Sequence, residues 1–127
     1  VRGLSAALRG RWAEAAEEFS RAQRLVPANS SQASLLREAE AWALVMQGKT
    51  QEAARILGSR WPLPPEPGFA DLALLVYPNL FYTRAEIAVS QGKKDEARRM
   101  YDLFLQYAGD RKDPFGLMAR ASAAARL

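Results

Sequence analysis

The sequence predicts an all-α chain, an α-α superhelix of about three helix-turn-helix repeats closed by a capping helix. Three observations predict it. The segments Gly10-Arg-Trp-Ala-Glu-Ala-Ala, Gly48-Lys-Thr-Gln-Glu-Ala-Ala and Gly92-Lys-Lys-Asp-Glu-Ala-Arg align without gaps, each a Gly, a basic residue and then Glu-Ala at a fixed offset. Ala-rich helical patterning precedes and follows each of them, and self-similarity of this kind is the signature of a repeat architecture. A bulky apolar residue stands four past each Ala, Phe19 after Ala15, Leu57 after Ala53 and Tyr101 after Ala97, one turn along the same helix face.

The shared Gly is the joint of a tight αα-hairpin. It ends one helix by taking the left-handed conformation at no steric cost, and the Glu four residues on suits the positive end of the next. The Ala after that Glu is small where two helix backbones approach, and the bulky residue one turn later fills the space beside it.

Taken in order, the repeats span about residues 1–29, 34–67 and 78–111 of a single domain, 1–127. The joint glycines stand 38 and 44 residues apart, against a helix-turn-helix repeat of about 34, so about 4 and about 10 residues are inserted between repeats. The second insertion contains Trp61-Pro-Leu-Pro-Pro-Glu-Pro-Gly68. Its prolines fix φ and withhold donors, so it is expected to be a stiff, extended polyproline II linker. Asp71 to Tyr77 then adds a turn or two of helix leading into Pro78, which suits the first helical position of the third repeat. Last, Asp113 reads as an N-cap and Pro114 as the first residue of a capping helix, about 114–126. Phe115, Met118, Ala121, Ser122 and Ala125 share one stripe of it, which would cover the final repeat as a solenoid requires.

These residues resemble the tetratricopeptide repeat family, whose pattern is an aromatic, Leu-Gly, Tyr, then Ala-x-x-x-Phe and a closing Pro. In the first repeat Gly3 stands at the family's Gly, Ala15 and Phe19 at its Ala and Phe, and Pro27 at its Pro. Ala41, Ala53, Leu57 and Pro65 follow in the second, and Phe81, Ala85, Ala97 and Tyr101 in the third. The chain departs from the pattern as well. The family's Tyr is Ala6, Leu44 and Ala88, its Leu is Arg2, Glu40 and Arg84, and the third repeat has no closing Pro.

The resemblance implies a right-handed solenoid in which the first helix of each pair lines a concave surface. Trp42, one residue past the close-packed Ala41, is turned about 100° around the helix, and Leu35 and Met46 share its stripe. The corresponding line is Leu4 and Leu8 in the first repeat and Asn79, Tyr82, Glu86 and Ser90 in the third. Leu4, Leu8, Leu35, Trp42, Met46, Asn79, Tyr82 and Glu86 are therefore the candidate partner-binding residues of a largely apolar groove. Packing of Trp42 and Tyr82 between repeats is the competing reading. Members of the family that hold a terminal carboxylate do so with Lys, Arg and Asn on this line. Asn79 alone is present here, which argues against such a clamp.

Composition narrows the function. The chain has no cysteine and no histidine, which removes thiolate sites, the commonest metal ligand and the commonest general base. No catalytic residue, metal site or cofactor is expected. The carboxylate pairs Glu14/Glu18 and Asp110/Asp113 fall on an exposed helix face and in a turn, without a nucleophile or phosphate loop, so the chain reads as no enzyme. Net charge is +4. The basic residues alternate with acidic ones, as in Glu17/Arg21 and Arg98/Asp102, so a solvated mixed-charge face is expected rather than a nucleic-acid footprint. The longest uncharged stretch, Leu72 to Thr83, is interrupted by Pro78 and falls short of the roughly 20 apolar residues of a membrane span.

The sequence opens at Val1 without an initiator Met, and reads as a piece of a larger protein, its C-terminal repeat domain. Ala- and Arg-rich composition suggests a bacterial source, and a cytoplasmic setting is expected. The expected function is a protein-interaction scaffold that binds a protein or peptide segment, another part of the parent chain included. The alternative is self-association, a homodimerisation domain of a multidomain bacterial signalling or transcription regulator.

Overall fold

The structure, a computed structural model of the chain, describes residues 2–58, 70–108 and 121. Among these there is no strand. The helices are α1 (Arg2–Leu8), α2 (Trp12–Arg24), α3 (Ser31–Met46), α4 (Thr50–Leu57), α5 (Ala70–Ser90) and α6 (Lys94–Ala108). The chain divides into two compact units, 1–76 and 77–127, with the division inside α5.

All three joints have one geometry, and it explains the repeated motif. Gly10, Gly48 and Gly92 lie at φ +74°, +81° and +76°. At each, the Gly N–H bonds to the carbonyl three residues back, on Ala7, Val45 or Val89, at 2.9–3.0 Å. The basic residue that follows donates its N–H five residues back, to Ala6, Leu44 or Ala88, at 2.8–2.9 Å. That pair of bonds is the Schellman motif, which satisfies carbonyls left open at a helix end. The same basic residue then starts the next helix, Arg11, Lys49 and Lys93 accepting from the N–H of Ala15, Ala53 and Ala97 at 2.9–3.1 Å. A cation at a helix N-terminus opposes the macrodipole. The Glu of the motif falls in the first turn and offsets it, Glu14 lying 3.7 Å from Arg11 and Glu96 4.0 Å from Lys93.

In the first unit the helices pack sequentially, α1 on α2, α2 on α3 and α3 on α4. Ala15, Phe19 and Ala53 are fully buried and Leu57 almost so. Gly3 of α1 lies directly against Phe19: a Cβ added at Gly3 would stand 2.7 Å from two atoms of the ring. Ser30 caps α3, its Oγ accepting from the N–H of Ala33 at 3.1 Å and donating to the Pro27 carbonyl at 2.6 Å. α3 is the central element. None of its side chains is exposed, whereas α2 and α4 present charged outer faces. On α2, Arg21 bonds Glu17 at 2.9 Å and Glu18 at 3.2 Å, the mixed-charge pairing expected there.

In the second unit, the Tyr77–Ser90 stretch of α5 and α6 form the third hairpin. Ala85 is fully buried, and Ala97 and Tyr101 are each only 3% exposed. Thr83, also buried, donates its hydroxyl to the Asn79 carbonyl at 3.0 Å.

One expectation is corrected. Pro78 does not begin a helix but lies inside α5, which runs unbroken from Ala70 to Ser90. Its missing N–H deprives the Leu74 carbonyl of a donor and costs about 3 kcal/mol. Strong helix formers on either side, Ala70, Leu72, Ala73, Leu74, Leu75 and Leu80, carry the helix through. The division between the two units, after Val76, falls next to this proline.

The proline-rich linker at 61–68 lies outside the described residues. So does the capping helix at 114–126 except for Ala121, which is helical and fully buried.

Candidate functional site

Within the first unit, the residues assigned to a concave groove divide sharply by accessibility. Leu35 is 1% exposed and Trp42 fully buried, Met46 is half-buried, and Leu8 is 58% exposed. Leu4 lies in α1 with its side chain outside the described residues. Leu35 and Trp42 are therefore interior residues, which for Trp42 is the competing reading of the sequence. The cause is local. Trp12, at the start of α2, sets its ring edge-to-face against Trp42, with centroids 4.8 Å apart and planes at 73°. Edge-to-face pairing at this distance contributes about 0.5–1.5 kcal/mol beyond area burial. Beside it, Gln47 donates through Nε2 to the carbonyls of Trp12 and Ala43, both at 3.2 Å, which ties the end of α3 to the start of α2.

The second unit repeats this pattern with other residues. Tyr82 is 2% exposed and packs edge-on against Tyr101 and Phe104 of α6, at centroid distances of 6.0 and 5.6 Å. Tyr82 is interior as well, the competing reading that its spacing leaves open. Glu86, half-buried, accepts a hydrogen bond from the Tyr101 hydroxyl at 3.1 Å. Burial and the neighbouring Glu86 carboxylate both push the Tyr101 phenol well above its ordinary pKa, so it stays a neutral donor. Asn79 is half-buried, two turns before Glu86 on the same helix.

Polar contacts engage Glu40 and the carboxylates Glu14 and Glu18 that the sequence singles out. Glu40, at a position where the family has Leu, reaches across to α2 and accepts from Gln23 Nε2 at 2.7 Å. Burial raises the Glu40 carboxyl above its ordinary pKa, against the opposing pull of the Gln23 hydrogen bond and the cations Arg24 and Arg37, while Glu52 adds to the rise. The carboxylate pair Glu14/Glu18 is engaged in ion pairs with Arg11 and Arg21; Asp110/Asp113 lies outside the described residues.

Sequence reasoning passed over three surface features. Leu25, just past α2, is 86% exposed, and Val89, near the end of α5, is 52% exposed. Leu25 stands off the buried stripe of Ala15 and Phe19, an offset that periodicity could have flagged. Between α1 and α2 there is a depression of about 220 Å³ lined by Ser5, Ala6, Arg9, Arg11, Glu14 and Glu18. Two cations and two anions share it, so it has no dominant sign.

Among the described residues no three His, Cys, Asp or Glu side chains are placed to hold a metal ion, and no helix is long and apolar enough to cross a membrane. Comparison with protein-family models, with curated proteins and with solved structures finds no match to this chain.

Proposed function

We propose that the chain is a tetratricopeptide-like interaction module that binds a protein or peptide segment and catalyses no reaction. The observation that carries this reading is the recurrence of one hairpin three times: the same Schellman joint at Gly10, Gly48 and Gly92, and the same buried Ala beyond it at 15, 53 and 97. Modules of this kind serve by presenting surface along a stack. The reading extends to a solenoid arrangement and to a cytoplasmic setting, and the Ala- and Arg-rich composition favours a bacterial source.

The burial of Leu35, Trp42 and Tyr82 changes where a partner would sit. Contact would fall on the accessible part of the inner line in the first unit, on Leu8 and on Met46. These two hold the same register, two residues before Gly10 and Gly48. An apolar side chain 58% exposed on a helix end gains from being covered, about 25 cal/mol for each Å² removed from water.

A photo-crosslinking residue placed at Leu8 of the chain tests this, with the same residue at Glu17 on the outer face of α2 as control. The expected result is a protein adduct at position 8, absent at 17 and lost on competition by the unlabelled chain but not by its Leu8→Glu variant. An adduct of the chain with itself, together with concentration-dependent sedimentation, would replace the scaffold reading by self-association. Equal labelling at both positions would refute a site at Leu8.

A further inference from the structure

We draw no further inference here: the strongest candidate, the end of the first unit where the basic residues Arg11 and Lys49 begin α2 and α4 beside the depression lined by Arg9 and Glu14, rests on helix N-termini and exposed side chains, with no second observation that points to a ligand.

Discussion

Gly3 and Phe19 show how a single atom can matter in a helix of small residues. Alanine at position 3 would gain about 1 kcal/mol of helix propensity, but its Cβ would stand 2.7 Å from a ring that is fully buried and has nowhere to swing. Overpacking of this kind costs about 1–3 kcal/mol, so the clash outweighs the gain. Gly3→Ala is expected to lower the urea midpoint, and adding Phe19→Leu to recover part of the loss; a midpoint raised by Gly3→Ala would contradict the contact.

Glu40 gives the second prediction at this scale. Its folded pKa lies above the ordinary 4.5, so the folded state holds the proton more tightly than the unfolded chain. Its contribution to stability is then complete below that ordinary value and is lost as pH rises through the raised one. Glu40→Gln keeps an acceptor for Gln23, so it should flatten this decline and equal or exceed the parent chain in melting temperature at pH 7. A variant less stable at pH 7 and unchanged in pH slope would show that the charge, and not its burial, decides. The sequence marked Glu40 as a misfit in a Leu position. It could not name Gln23, seventeen residues away, as the partner that makes the misfit tolerable.

At the scale of the element, the hairpin joints were the most legible part of the chain. A Gly that must adopt positive φ, a basic residue and Glu-Ala are all local, and each local choice agrees with the same turn. Around Gly48 nothing lies within 4 Å of an added Cβ, so the cost of Gly48→Ala is backbone alone, about 1–2 kcal/mol for an L-residue in the left-handed region. Gly48→Asn should cost less, because Asn tolerates that region. Chemical denaturation checks both, and equal losses would point to packing instead. Pro78 was misread for a physical reason as well. Proline favours a first helical turn, so the sequence places a boundary there, whereas the helix formers around it and the packing of the buried Leu80, Tyr82, Ala85 and Ala88 of the same helix act against a break. Propensity sums over a segment, and a single breaker is only one contribution to the sum.

For the molecule as a whole, periodicity told which residues are apolar and share a stripe, but not what covers the stripe. Trp42 and Tyr82 have the spacing of groove residues and of core residues alike. The choice rests on long-range partners, Trp12 for one and Tyr101 and Phe104 for the other, whose pairing no local pattern displays. The central claim is that Leu35, Trp42 and Tyr82 are core residues of their hairpins, which leaves exposed side chains such as Leu8 for the proposed contact. The most direct measurement is acrylamide quenching of Trp42 fluorescence in a chain carrying Trp12→Phe and Trp61→Phe, where the phenyl ring introduced at position 12 preserves an aromatic edge against the remaining indole. Burial of Trp42 predicts a blue-shifted emission and a quenching constant far below that of free tryptophan in the native chain, rising to the free value in denaturant. A native quenching constant close to that of free tryptophan would place Trp42 in an open groove and contradict the claim.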